Sequence, residues 1–224
     1  MAVLPTMCFS ATASFVTAAV TGGIGIAALT RLRQPREILL AATPLLFAAQ
    51  QMIEGLLWLD LSAARETVTA STLTYLFLLI AEVFWPVYVP LAVLLVEPGR
   101  RRRWAMLACL AAGVAAGTYL RWWVLTRPHD AIVLDGHIVY VTAYRNSVAI
   151  AGSYFAATVL PLWLSSHRRL NAIGLVILTG YIASYLFYWQ AFVSVWCFFA
   201  AATSALILWH LRQPQRARLQ VAKV

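Results

Sequence analysis

Charge is scarce in this sequence, and lysine and cysteine are almost absent. Of 224 residues only 11% are charged, while 62% are hydrophobic. A soluble domain with this balance would precipitate, so the composition indicates an integral membrane protein. The single lysine, Lys223, lies in the tail, which excludes a retinal protein because that class needs a lysine in its last span. Three cysteines supply no disulfide framework.

Histidine is also rare, and none lies well inside an apolar stretch. The four histidines are His129, His137, His167 and His210, all in predicted loops or at a span end. This placement argues against haem or zinc held between helices. The sequence pI is about 10.0, but the basic residues form short runs at helix ends, so we expect lipid contacts and no nucleic-acid binding.

The long apolar stretches predict seven membrane spans, since about 20 apolar residues cross a bilayer as a helix. They lie at about 10–29, 38–61, 72–96, 104–125, 147–164, 172–188 and 190–209. The predicted fold is therefore an all-α membrane protein, a seven-transmembrane helical bundle. We expect this domain to occupy residues 1–211 and a basic tail to occupy residues 212–224.

The distribution of basic residues predicts the orientation of the bundle, because arginine and lysine gather in cytoplasmic loops. The run from Arg100 to Arg103 and the basic tail lie on one side of the predicted spans. On the other side, Arg127 is offset by Asp130 and Asp135. We therefore predict that the N-terminus is outside and the C-terminus is cytoplasmic, in a multi-pass protein of the cell membrane.

The outer segment at about 126–146, between the fourth and fifth spans, has a hairpin pattern. Two β-branched, apolar runs, 131–134 and 137–140, flank Asp135-Gly136, and this dipeptide favours a type I′ turn. An isolated hairpin is marginally stable in water, so this one should rest on the bundle or the membrane surface. Both a lid over the outer mouth and a plain connector fit the pattern.

Two glutamates, Glu54 and Glu82, lie inside predicted spans. A charged residue at the bilayer centre costs about 2.5–3.5 kcal/mol on insertion scales. Gln50, Glu54 and Trp58 follow at intervals of four and share one helical face. Counting from the outer ends, the two acids lie roughly 10 and 15 Å deep, so one pocket can contain both.

Proline supports a polar site at Glu82, because Pro86 leaves the carbonyl four residues earlier without its donor. Arg121, near the outer end of the fourth span, is the basic partner expected for Glu54. A structural alternative stays open, in which each glutamate is protonated and bonded between helices. The predicted ligand-binding residues are Gln50, Glu54, Trp58, Glu82, Trp85, Arg121, Tyr185 and Cys197.

Five segments together resemble an uncharacterised family of bacterial seven-span membrane proteins. They are 7–15, which opens Met-Cys-Phe-Ser-Ala, then 44–58, 82–86, 135–137 and 194–201. The resemblance covers about Met7 to Trp209 and implies a bacterial inner-membrane location, a family start at Met7 and an extension over residues 1–6. It implies no activity. It also draws attention to Cys8 and Cys197 as companions of the two glutamates.

Three functions remain compatible with the sequence. The first is binding, sensing or transport of a small molecule, a cation or a proton in an outward-facing polar pocket. The second is an intramembrane enzyme acting on a lipid or isoprenoid, with a glutamate as acid or base, or with a metal held by Cys8, Glu54, Glu82 and Cys197. The third is a structural subunit of a membrane complex. The cofactor and the ligand are left open.

Overall fold

The computed structural model describes residues 10–63, 68–141 and 148–212. Its helices are α1 (Ala11–Leu29), α2 (Ile38–Ser62), α3 (Val68–Leu78), α4 (Trp85–Val96), α5 (Arg100–Thr126), α6 (Val148–Thr158), α7 (Leu160–Leu164), α8 (Arg168–Phe187), α9 (Phe192–Ala202) and α10 (Ser204–Leu211). A π-helical segment, Leu79–Phe84, joins α3 to α4. The two strands are β1 (Asp130–Leu134) and β2 (His137–Val141).

Six helical stretches are long and apolar enough to cross a membrane. They are Ala11–Leu29, Pro35–Ser62, Val68–Val96, Arg100–Thr126, Arg168–Phe187 and Phe192–Leu211. They correspond to the first four and the last two predicted spans. The fourth begins at Arg100, four residues earlier than predicted, because arginine is a good helix former although it lowers the local hydropathy.

The fifth predicted span is interrupted. Its described residues form the two short helices α6 and α7, which are separated at Val159. Pro161 at the start of α7 has no N–H to donate to the preceding turn, so a continuous helix loses a hydrogen bond there. A bundle of seven spans therefore stays a prediction, as do the orientation and the tail at 212–224.

The predicted hairpin is confirmed. β1 and β2 pair antiparallel, with Leu134 opposite His137 across the turn. Asp135 and Gly136 have φ values of 49° and 76°, the left-handed backbone that a type I′ turn requires at both central positions. Ile138 and Tyr140, two residues apart, point into the protein and are buried.

The hairpin packs on one end of the bundle, where its two inward side chains join a buried apolar group that we call the hairpin-end cluster. Its members are Leu57, Trp58, Ala70, Phe77, Leu78, Ala81, Val124, Ile138, Tyr140 and Cys197. These residues come from α2, α3, the π segment, α5, β2 and α9. The hairpin therefore rests on the helices.

Close packing between α5 and α4 depends on glycine. A Cβ added at Gly113 would lie 1.8 Å from the carbonyl oxygen of Pro86, and one at Gly117 would lie 3.1 Å from that of Val83. The small-xxx-small spacing of these two glycines is typical of contact faces between membrane helices. Here that face contacts the backbone around the π segment and Pro86.

Candidate intramembrane site

Glu54 is buried, with 3% of its surface exposed, and both of its carboxylate oxygens accept hydrogen bonds. Ser194 Oγ on α9 donates to Oε1 at 2.5 Å. Gln51 Nε2, one turn earlier on α2, donates to Oε2 at 3.0 Å. The acid thus joins α2 to α9 through neutral donors.

Gln50 links three helices on the neighbouring part of α2. Its Oε1 accepts from Trp85 Nε1 of α4 at 2.7 Å, and its Nε2 donates to Cys197 Sγ of α9 at 3.1 Å. Gln50 is fully buried, and both ends of its amide have a partner in the protein interior. This arrangement fixes the position of the Cys197 thiol.

Cys197 is near both of the glutamates that lie inside helical spans. Glu54 and Glu82 both lie near Cys197, and Tyr154 of α6 lies near Cys197 and Glu82. Glu82 itself is buried in the π segment. The structure therefore places both acids near one thiol.

The π segment alters the backbone next to Glu82. Trp85 N donates to Ile80 O, five residues back, instead of to Ala81 O. Pro86 has no N–H, so Ala81 O lacks a donor from its own helix. The hydroxyl of Tyr154 donates to that oxygen. Single π turns occur frequently at functional sites, and this one re-aims the backbone that carries Glu82.

Tyr140 brings the hairpin to the same site. Its ring stacks on Phe77, with 4.6 Å between centroids. Burial raises the pKa of the Tyr140 hydroxyl well above its usual value, and the nearby charges of Glu54 and Cys197 raise it further. Two buried oxygens here, Tyr140 Oη and Gln51 Oε1, have no hydrogen-bond partner among the described residues.

Six of the eight predicted site residues are buried and lie in this region: Gln50, Glu54, Trp58, Glu82, Trp85 and Cys197. Arg121 and Tyr185 instead have exposed side chains on α5 and α8. The hydrogen bonds of Glu54 come from Ser194 and Gln51, so Arg121 is not the partner seen in the structure.

The predicted site list omitted four residues that belong to it: Gln51, Tyr140, Tyr154 and Ser194. Ser194 lies three residues before Cys197, and therefore on the same face of α9. Tyr140 lies on the inward face of a strand whose alternation is visible in the sequence. No sequence signal indicates Tyr154, because its role depends on a backbone acceptor in another helix.

A metal centre was a further possibility. Across residues 10–63, 68–141 and 148–212, no three side chains of His, Cys, Asp or Glu are grouped so that they could hold a metal ion. Cys8, the fourth candidate ligand, lies outside the described residues. The contacts seen around Glu54 and Cys197 are hydrogen bonds from amide and hydroxyl groups.

A second polar cluster lies at the opposite end of the bundle, centred on Glu97. Its carboxylate accepts from Ser165 Oγ, from Ser166 N and Oγ, and from Gly99 N. Burial raises the pKa of Glu97, but these hydrogen bonds together hold it below its usual value. His167 beside it contacts Val96 O at 3.1 Å and packs against His210. This cluster ties the α4–α5 loop to the α7–α8 loop.

The chain belongs to a family of unknown function, DUF6629, whose model matches residues 7–222. The match begins at Met7, where the resemblance placed the family start, and extends beyond Trp209 into the tail. No curated protein and no solved structure matches the chain.

Proposed function

We propose that this chain is a seven-span protein of the bacterial inner membrane that reversibly binds a small cation or a proton at Glu54, and that it senses or transports that species. The single observation that carries the proposal is the setting of Glu54: a buried acid held by Ser194 and Gln51, near buried oxygens that have no hydrogen-bond partner among the described residues. Amide and hydroxyl donors hold the acid without neutralising it.

The position of the second acid supports the same function. Glu82 and Glu54 both lie near Cys197, so we propose that a charge on one acid affects the protonation of the other. Two nearby carboxyl groups favour binding a shared proton or a cation because ionising both leaves like charges close together. Ionisable residues inside spans are costly, and they commonly mark ion or proton pathways.

The position of the hairpin supports access to the site from the outside. It covers the site end of the bundle with Ile138 and Tyr140, so we propose that it is a lid and that the site opens toward the outside. The basic run at Arg100 to Arg103 lies at the other end of α5 from the hairpin. By the positive-inside rule, this arrangement supports the proposed orientation, with the N-terminus outside and the C-terminus in the cytoplasm.

The test is infrared difference spectroscopy of the purified protein in nanodiscs, titrated with acid and with cations. The parent should show a buried carboxyl band that appears on acidification and whose midpoint shifts when cations are added. Glu54→Gln should remove this band. Glu37→Gln is the control, since Glu37 is buried away from the hairpin end and accepts from Arg33 N, and it should leave the band unchanged.

Glu82→Gln is informative in the same titration. If the two acids share the bound species, this variant should shift the Glu54 band without removing it. A Glu54→Gln protein that keeps the full titrating band and its response to cations would refute the proposal.

A further inference from the structure

Three groups that can accept hydrogen bonds lie near one another at the hairpin end: Gln51 bonds to Glu54, and Tyr140 is near Glu54. The carboxylate of Glu54 accepts one hydrogen bond at each oxygen and has further lone pairs. Gln51 Oε1 and Tyr140 Oη are buried without partners among the described residues. Leaving such a group unpaired costs about 1–3 kcal/mol, so a bound group that donates hydrogen bonds would recover that cost.

The free oxygen of Gln51 restricts what that group can be. A side-chain amide oxygen only accepts, so its partner must carry N–H or O–H or be a metal cation that the oxygen coordinates. Gln51 cannot satisfy the oxygen by turning its amide over, because its Nε2 already donates to Glu54. The negative charge of Glu54 favours a cationic partner, and in the described part of the chain its hydrogen-bond donors are the neutral side chains of Ser194 and Gln51.

We infer that the site binds a primary ammonium group, R–NH₃⁺, an inference that rests on the proposed cation site at Glu54. An ammonium group has three N–H donors, and the site offers three acceptors: the Glu54 carboxylate, Gln51 Oε1 and Tyr140 Oη. The carbon chain of the ligand then contacts the apolar members of the hairpin-end cluster, among them Trp58 and Phe77.

Other cations fit the same place less well. A quaternary ammonium has no N–H, so it leaves both unpartnered oxygens unsatisfied. A bare alkali ion can be coordinated by the same oxygens, but it has no carbon chain and leaves the apolar members of the hairpin-end cluster without a contact.

The hairpin takes part in binding the ammonium group through Tyr140. Of the three acceptor residues, Tyr140 is the one that lies on the hairpin. Ile138, two residues before it on the same face of β2, is fully buried. A ligand bonded to Tyr140 therefore holds β2 against α2 and α9. Entry of the ligand requires β2 to move away from the helices, and occupancy of the site keeps it closed.

The experiment measures binding of n-butylammonium to the whole protein in nanodiscs by isothermal titration calorimetry, with tetramethylammonium, sodium and n-butanol as comparison probes. Tetramethylammonium has the same charge and the same number of carbons but no N–H, and butanol has the same chain but no charge. We expect n-butylammonium to bind at least tenfold more tightly than any of the other three.

Tyr140→Phe tests the hairpin acceptor. The ring keeps its stacking on Phe77 and an unpaired hydroxyl is removed, so the variant should fold at least as stably as the parent. Its affinity for n-butylammonium should fall about tenfold, which corresponds to about 1.4 kcal/mol. Tyr75→Phe is the matched control, because Tyr75 donates to Arg127 O at the same end of the protein but lies outside the acceptor set.

The outcomes separate this inference from the proposed function. Equal affinity for tetramethylammonium, or an unchanged affinity in Tyr140→Phe, overturns the ammonium inference. Binding of protons or sodium alone, lost in Glu54→Gln, overturns it as well but leaves the proposed function standing. If no probe binds and Glu54→Gln also leaves the infrared titration unchanged, both fail.

Discussion

Tyr154 of α6 donates its hydroxyl hydrogen bond to the carbonyl oxygen of Ala81, the acceptor that the π turn and Pro86 leave without a backbone donor. The contact joins α6, which was predicted as part of one continuous fifth span, to the segment that carries Glu82. It also explains how a π turn followed by proline is tolerated within a membrane, where an unpaired carbonyl has no water to bond to.

The first prediction is that Tyr154→Phe destabilises the protein. Ala81 O then has no donor, which should cost about 1–3 kcal/mol of unfolding free energy, measured by thermal or denaturant unfolding in nanodiscs. Tyr119→Phe is the control, because Tyr119 is partly buried on α5 and makes no hydrogen bond within the described ranges. It should have little effect.

A double-mutant cycle sharpens this prediction. Pro86→Ala restores an N–H at position 86, five residues after Ala81, in the geometry that the π turn already has. In that background Tyr154→Phe should cost clearly less than in the parent. Equal costs in the two backgrounds would contradict the assignment of Tyr154 as the replacement donor.

The second prediction concerns the contact between α5 and α4. Gly113→Ala places a Cβ 1.8 Å from Pro86 O, so the helices must separate, and overpacking of this kind typically costs about 1–3 kcal/mol. Gly23→Ala on α1 is the control, since a Cβ there meets nothing within 4 Å. It should stabilise the protein by up to about 1 kcal/mol, because alanine is the better helix former. If Gly113→Ala unfolds at the same temperature as the parent, the close contact between Gly113 and Pro86 is contradicted.

Much of the architecture could be predicted because hydropathy reports span length directly. The hairpin followed from Asp135-Gly136, whose backbone preference is local. The break at Val159 could not be predicted from averaged hydropathy, because the mean hydropathy of a window of about 20 residues stays positive across Pro161.

Part of the site was predicted from the sequence, and the physical reason why a residue was predicted correctly or not differs from one residue to the next. Gln50, Glu54 and Trp58 share a face on one helix, so their grouping needs only helical periodicity. Arg121 was chosen by charge and depth, but the side of α5 on which it lies depends on how the helix is rotated in the bundle. The placement of Tyr185 depends on helix rotation in the same way, because α8 is apolar on most of its surface and its sequence does not define which face is buried.

The third prediction is a pH-dependent contribution of Glu97. The folded-state pKa is held below the usual value of 4.5, so Glu97 stabilises the fold fully above about that pH. This contribution is lost as the pH falls through the lower folded pKa. Glu97→Gln should therefore cost about 1.5–3 kcal/mol at neutral pH, in the range of hydrogen bonds to charged groups, and much less in strong acid.

The measurement is the unfolding free energy of parent and variant across acidic and neutral pH. Asp130→Asn is the control, because Asp130 is exposed at the start of β1, and its effect should be small at every pH. A constant difference between the parent and Glu97→Gln down to strongly acidic pH would show that the carboxylate charge is not what Ser165 and Ser166 stabilise.

The fourth prediction tests orientation, on which the proposal of an outward-facing site depends. Leu134→Cys, beside the hairpin turn, should react with a membrane-impermeant thiol reagent added outside intact cells, whereas Arg101→Cys should react only after the membrane is opened. Both positions are exposed, and the native Cys109 and Cys197 are buried, so labelling of the parent defines the background. The physical reason is that four arginines in the first turn of α5 favour the cytoplasmic side. The reverse pattern would place Glu54 and its lid at the cytoplasmic end, and an ammonium ligand would then have to reach the site from inside the cell.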